Sequence, residues 1–198
     1  DRTKRILLPL IFGSLIIVPI HVYIYMAFMG LGSSYVPNPG HLWFLGNIFI
    51  YVLLMCPIFF YMKKNKNNFL SRIFKRALKY PIALYVITIP FIIEAKLLIS
   101  QEQRYEYFTF TPHGFWVGLL FFFTGFFFIS MGESFWNATK KLKSFALAIS
   151  IPLFLIRLIY FELGGPLYLI VIESWSWLFV LFGFSSTYLN SPSKLLTY

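Results

Sequence analysis

The chain has 198 residues, of which 59% are hydrophobic, 22% aromatic and only 12% charged, and its mean hydropathy is +0.73. A soluble domain of this length does not need so much apolar surface for one core. We therefore expect this chain to be embedded in the lipid bilayer. The formal net charge of +10 would suit a nucleic-acid partner. However, the basic residues lie between apolar runs and do not cluster on one soluble face. We therefore expect membrane lipids and no nucleic acid as partners.

Six apolar runs of roughly 18 to 23 residues follow one another along the chain. At 1.5 Å per residue, each run reaches about 27 to 34 Å as a helix, which matches a hydrocarbon core of about 30 Å. Because backbone groups in lipid must be satisfied within the segment, we predict an all-α fold, a polytopic transmembrane bundle with six spanning helices in a single domain over residues 1–198. The predicted spans are Ile6–Phe28, Leu42–Met62, Tyr80–Ile99, Gly114–Met131, Leu142–Phe161 and Pro166–Phe184.

The basic residues orient these spans. Four regions hold 14 of the 17 Lys and Arg residues, and they fall on one side if all six runs cross the membrane. The connections on the other side, around residues 30–40, 100–113 and 162–165, contain only Arg104. Cytoplasmic loops carry the excess of Lys and Arg, so both ends of the chain are predicted to be cytoplasmic. The four regions contain Arg2, Lys4, Arg5; Lys63, Lys64, Lys66, Arg72, Lys75, Arg76, Lys79; Lys140, Lys141, Lys143; and Lys194.

Ionisable groups within the spans are unevenly distributed in depth. A charge at mid-bilayer costs about 2.5 to 3.5 kcal/mol on insertion scales, so such groups need a reason to be there. On the predicted topology they all lie in outer halves of helices or in outer connections, which predicts a polar pocket open to the extracytoplasmic side. These groups are His21, His41, Glu94, Lys96, Glu102, Arg104, Glu106, His113, Arg157, Glu162 and Glu173.

Arg157 and Glu173 flank the very short connection between the last two spans. They lie about 10 and 14 Å from its midpoint along antiparallel neighbouring helices, within reach of the long arginine side chain. We therefore predict an ion pair between them. Two interpretations stay open: the pair neutralises buried charges and fixes packing, or it binds a substrate.

His21 and the segment that begins at His41 are further candidates. Ser14, His21 and Tyr25 are spaced to line one face of the first helix, where His21 either transfers a proton or bonds a neighbouring helix. His41 precedes Trp43 at the predicted outer boundary, where tryptophan is typical of an interfacial anchor.

The opening Arg2-Thr3-Lys4-Arg5 places cations at the cytoplasmic end of the first helix. Guanidinium groups and helix N-terminal N–H groups both favour phosphate oxygens, although such a cluster is also the usual positive-inside anchor. The sequence has no phosphate loop, HExxH or GxSxG motif. Its single cysteine, Cys56, excludes an intrachain disulfide framework and a multi-cysteine metal site, and we expect no metal.

Three segments in series, spread across nearly the whole chain, are residues 2–10, Gly40-His41-Leu42-Trp43-Phe44-Leu45, and Gly183-Phe184 with residues 188–196. Together they resemble membrane-bound acyltransferase family 3, in its glucan-biosynthesis protein C-like branch. The resemblance implies a multi-pass enzyme of a bacterial cytoplasmic (inner) membrane that moves an acyl group, acetyl or succinyl, from cytoplasmic acyl-CoA to a hydroxyl of an extracytoplasmic carbohydrate. It also implies that Arg2 and Arg5, which match the family's Arg-x-x-Arg pair, contact the CoA phosphates.

The family's catalytic histidine, with an arginine about ten residues before it, has no match here. We therefore expect this chain to be an internal fragment whose main catalytic base lies outside it, and His21 does not fill that role. His41, Trp43, Arg157, Glu173 and His21 are the predicted contacts to the carbohydrate acceptor. The alternative is a transporter or flippase of polysaccharides or lipid-linked sugars, although such proteins usually carry internal repeats, which are not evident in this sequence.

Overall fold

The computed structural model describes residues 2–32, 34–64, 69–98 and 111–189. Within these ranges the chain is helical and has no strand. Two segments, Gly13–Ile17 and Ser185–Leu189, are π-helical. Short 3-10 helices lie at Gly40–Leu42 and Pro81–Ile87. The α-helices are α1 (Arg2–Phe12), α2 (Val18–Phe28), α3 (Trp43–Lys64), α4 (Phe69–Ala77), α5 (Thr88–Leu98), α6 (Pro112–Met131), α7 (Glu133–Tyr160) and α8 (Leu167–Phe184).

Six helical stretches within the described ranges are long and apolar enough to cross a membrane, as the sequence predicted. α6 starts two residues before the predicted Gly114, which places the buried His113 in its first turn instead of in a connection. Glu102, Arg104, Glu106, Lys66 and Lys194 lie outside the described residues. The stretches are Lys4–Phe28, Trp43–Met62, Pro81–Leu98, Pro112–Met131, Glu133–Tyr160 and Leu167–Leu189.

The fifth spanning helix begins at Glu133, nine residues before the predicted Leu142. The predicted fourth connection is thereby reduced to a turn at Gly132, whose φ of 54° suits glycine. Lys140, Lys141 and Lys143 are polar but do not break a helix, so α7 continues through them. Its 28 residues reach about 42 Å, more than a hydrocarbon core of about 30 Å, so the basic turns extend beyond the apolar length.

The contacts divide the chain into two compact units: unit 1 holds Asp1–Tyr61 and Arg104–Phe122, and unit 2 holds Met62–Gln103 and Phe123–Tyr198. In unit 1, α1 and α3 run antiparallel. A Cβ added at Gly46 would lie 3.8 Å from Leu10 Cδ2, and one added at Gly13 would overlap Leu42. The hydroxyl of Tyr51 on α3 also donates a hydrogen bond to the Phe115 carbonyl of α6, at 2.8 Å.

The loop before α3 folds back along α2 and bonds the π-helical segment. Pro19 has no N–H, so the carbonyls of Ser14 and Leu15 lose the donor that π- or α-helical bonding would supply. The Asn38 N–H donates to the Ser14 carbonyl at 3.2 Å, and the Tyr35 hydroxyl donates to the Leu15 carbonyl. The proline in the helix therefore explains why this loop lies against it.

In unit 2, α7 and α8 form a tight antiparallel hairpin that α5 packs against. A Cβ added at Gly183 would lie 2.6 Å from the Thr139 carbonyl oxygen, so only glycine allows this approach of the two helices. On the other side of α8, the rings of Phe91 and Trp175 are 4.9 Å apart and edge to face, a favourable aromatic geometry. The hairpin is the scaffold for the polar groups described next.

Candidate functional site

Arg157 and Glu173 form the predicted ion pair near the turn of the hairpin. Arg157 Nε donates to Glu173 Oε2 at 2.6 Å and Nη2 donates to Oε1 at 3.4 Å, so the contact is bidentate. The side chains are only 19% and 5% exposed. The prediction of an ion pair is confirmed, while its role in binding stays a prediction.

The connection between α7 and α8 supplies a third contact to the arginine. Arg157 Nη1 donates to the Leu163 carbonyl, and the Leu163 N–H donates back to the Arg157 carbonyl at 3.0 Å. Leu163 holds a φ of 69°, in the left-handed region. The sequence did not reveal this contact, because it depends on a backbone conformation unusual for leucine.

A second buried carboxylate lies on α5, which packs against α8. Glu94 on α5 is one helical turn beyond Phe91, and Phe91 contacts Trp175, two residues after Glu173. Close by, the Tyr85 hydroxyl lies 2.8 Å from Ser176 Oγ. Two helices that pack together, α5 and α8, thus each carry a buried carboxylate, while the predicted open pocket stays a prediction.

Basic side chains line three cavities at the opposite end of α7, all within unit 2. The cavities have volumes of about 800, 320 and 610 Å³. Lys75 and Lys79 line both the first and the second, and Asn137 lines both the second and the third, so the three are neighbours that share lining residues. We call them the basic groove; its charged and aromatic lining is Arg72, Lys75, Arg76, Lys79, Tyr80, Glu133, Trp136, Lys140 and Lys141.

Lys143 lies next to the groove and is held differently. Its Nζ donates to Thr187 Oγ1 at 3.0 Å and sits 5.1 Å and 4.8 Å from the ring centroids of Phe184 and Tyr188. The two rings are stacked, with centroids 5.9 Å apart. Cation–π contact and the hydroxyl therefore satisfy this ammonium without a carboxylate.

The predicted donor-site arginines lie in the first turn of α1, in unit 1. Arg5 is exposed, whereas the side chain of Arg2 lies outside what the structure describes. The exposure of Arg5 leaves its guanidinium accessible to an anion.

The predicted acceptor contacts of unit 1 are separated along the first spanning stretch. His21 and Tyr25 are exposed on α2. Ser14 lies in the π-helical segment, whose wider turn shifts its register relative to His21. The His41 side chain lies outside the described part of the chain. Trp43 is half-buried at the start of α3 and level with Gly13, the middle of the first span instead of its outer end, because the loop before it folds back.

Neither end of the hairpin offers the ligands of a metal centre. Among residues 2–32, 34–64, 69–98 and 111–189, no three His, Cys, Asp or Glu side chains come together as a metal site. Lysine and arginine, which line the groove, donate hydrogen bonds and bind anions. The basic end therefore offers hydrogen-bond donors and positive charge.

Comparison with known proteins gives a match at the level of a family. The family model described as an acyltransferase domain, that of acyltransferase family 3, matches residues 1–192. No curated protein matches the chain, and no solved structure does. The matched residues include all eight α-helices and therefore both ends of the hairpin.

Proposed function

Since the chain belongs to membrane acyltransferase family 3 and is a multi-pass membrane protein, we propose that it moves an acyl group, acetyl or succinyl, from cytoplasmic acyl-CoA to a hydroxyl of an extracytoplasmic carbohydrate. The proposal places both ends of the chain in the cytoplasm and the protein in a bacterial inner membrane. It also assigns the acceptor to the class of glucans, as in the glucan-biosynthesis branch of the family.

The observation that carries this proposal is the separation of polar groups along α7. Lys141 at one end lines the basic groove, and Arg157, sixteen residues later, forms the buried pair with Glu173. These residues are about 24 Å apart along the helix. A cationic end suits the phosphates of a CoA donor, and a buried polar end suits hydroxyl groups.

The transfer exchanges one bond to the acyl carbon for another. The acceptor oxygen forms a bond to that carbon, the thioester C–S bond breaks, and the sulfur leaves as CoA. A general base takes the hydroxyl proton, and protonation of the departing thiolate restores the balance. The proposal assigns the binding and orientation of the substrates to the residues described here.

Arg157 and Glu173 are the proposed acceptor contacts of unit 2. Three of the five N–H groups of Arg157 make the described hydrogen bonds, which leaves two donors for a sugar hydroxyl. The pair is fixed on two packed helices and a turn, and such a rigid site orients an acceptor well. His21, His41 and Trp43 are proposed as acceptor contacts of unit 1.

Arg2 and Arg5 are proposed to bind phosphates of the donor. Each lost charge-assisted hydrogen bond corresponds to about 1.5 to 3 kcal/mol, or about tenfold or more in affinity. We expect Arg2→Ala with Arg5→Ala to weaken CoA binding to the full-length protein by that factor, as measured by isothermal titration. The matched control is Lys96→Ala, which removes one exposed cation at the end of α5.

Unchanged CoA affinity in the arginine variant would refute the donor-site assignment. A wild-type protein that binds the carbohydrate but neither binds CoA nor releases it from acyl-CoA would refute the acyltransferase proposal in favour of a transporter.

A further inference from the structure

We propose that the basic groove binds the phosphate groups of a soluble nucleotide, as a site additional to the arginines at the start of α1. We take this nucleotide to be the 3′-phosphoadenosine end of the acyl-CoA donor, and this identification rests on the proposed function. The groove adds a subsite, formed by α4 and the first turns of α7, that the family match does not assign.

The first support is the convergence of cations from two elements on one cavity. Lys75 and Lys79, from α4 and the turn after it, line the cavity of about 320 Å³ together with Lys141 of α7. Ser134 and Asn137 complete the polar wall. A positive-inside anchor needs only positive charge near the membrane surface. Here ammonium, hydroxyl and amide groups surround one cavity, and these groups donate hydrogen bonds to phosphate oxygens.

The second support is the shortage of carboxylates to neutralise these cations. Six lysines and arginines line the groove, and Glu133 is the one acid among its lining residues. No Asp or Glu occurs between residues 62 and 80, or between residues 134 and 161. Like charges held around one groove repel each other, so an anion with several charges stabilises the arrangement.

Size and aromatic side chains favour a nucleotide over a lipid headgroup. The two larger cavities, of about 800 and 610 Å³, lie within the range of about 300 to 1,000 Å³ that small-molecule sites occupy. Each has one aromatic side chain in its wall: Tyr80, 70% exposed, and Trp136, 38% exposed. Such rings can stack on a purine base.

The test measures the binding of three probes to full-length protein in nanodiscs of neutral lipid. The groove variant is Lys79→Gln with Lys141→Gln, two exposed side chains whose loss we expect to leave the melting temperature unchanged. We expect it to bind CoA and 3′,5′-ADP at least about tenfold more weakly than the wild type. Binding of pantetheine, which carries no phosphate, is expected to stay the same.

Lys96→Gln is the matched control, because it removes the same charge from an exposed position of unit 2 that does not line the groove. If the groove variant binds CoA as tightly as the control does, and also binds 3′,5′-ADP as tightly, the inference is overturned. A variant that binds both nucleotides normally but loses retention on vesicles containing anionic lipid would also overturn it, because the groove would then be a lipid contact.

Failure of the proposed function gives a different result. If the wild type binds 3′,5′-ADP through the groove but transfers no acyl group from acyl-CoA, the nucleotide site is supported and the acyltransferase proposal is refuted. If the groove variant still transfers acyl groups and binds CoA normally, the acyltransferase proposal is supported and the nucleotide site in the groove is refuted.

Discussion

The α7–α8 hairpin carries a cation of α7 near each end, and the two are satisfied by different partners. Arg157 meets the carboxylate of Glu173 and a backbone carbonyl near the turn. Lys143, fourteen residues earlier and about 21 Å away along the helix, meets a hydroxyl and two aromatic rings. The contrast shows how one helix keeps a counter-charge at one end and leaves positive charge uncompensated at the other.

This difference matters for ligands. A buried arginine needs a partner of opposite charge, and Glu173 neutralises Arg157 so that the pair presents hydrogen-bonding groups with no net charge. At the basic end, the lysines of α4 and α7 stay exposed, and their positive field remains available to an anion. The first end suits hydroxyl groups and the second suits phosphates.

Breaking the ion pair should have the largest effect on the hairpin. We expect Glu173→Ala to lower the free energy of unfolding by about 3 to 5 kcal/mol, because it leaves a buried guanidinium without its carboxylate. Titration with a denaturing detergent, followed by tryptophan fluorescence, measures this loss.

The reversed pair, Arg157→Glu with Glu173→Arg, separates packing from acceptor binding. We expect the double variant to be more stable than either single variant, since the charges again attract each other. If it regains stability but not acyl transfer, the native orientation serves the acceptor. A double variant no more stable than the singles would contradict the pairing as the source of the stability.

Closing the gap between α7 and α8 should have the next largest effect. We expect Gly183→Ala to lower the free energy of unfolding by about 1 to 3 kcal/mol, because its Cβ would overlap the Thr139 carbonyl oxygen and the Lys143 side chain. Gly125→Ala on α6 is the control: a Cβ there meets nothing within 4 Å, and alanine is the better helix former. Equal effects of the two substitutions would refute the close approach at Gly183.

Removing the ammonium of Lys143 should have the smallest effect. We expect Lys143→Gln to lower the free energy of unfolding by about 1 kcal/mol, the sum of a weak cation–π contact and one hydrogen bond. Lys140→Gln, at an exposed neighbouring position, should change it by less than about 0.5 kcal/mol. If Lys140 proves as important for stability as Lys143, the division between a structural lysine and groove lysines is wrong.

The sequence sufficed for the six spans and for the Arg157–Glu173 pair. Apolar runs of bilayer length have one stable conformation in lipid, and a very short connection makes α7 and α8 antiparallel neighbours, so both conclusions follow from local information. The apolar pattern does not show the helical start of α7, because Lys140, Lys141 and Lys143 are polar but favour a helix as much as apolar residues do.

Contacts between distant segments could not be predicted in the same way. The loop that contains Tyr35 and Asn38 folds back to carbonyls that Pro19 leaves without donors, and no spacing in the sequence pairs these residues. The basic groove likewise depends on the meeting of α4 with α7, although each contributes cations that the sequence had already assigned to one side of the membrane.

The most direct test of the account is acyl transfer in membrane vesicles of known orientation that contain the full-length protein. Radiolabelled acetyl-CoA or succinyl-CoA is supplied on one side only, with a glucan acceptor on the other. We predict labelled glucan only when the acyl-CoA faces the groove that contains Lys79 and Lys141. Transfer from acyl-CoA on the side of Arg157 and Glu173 would contradict the account.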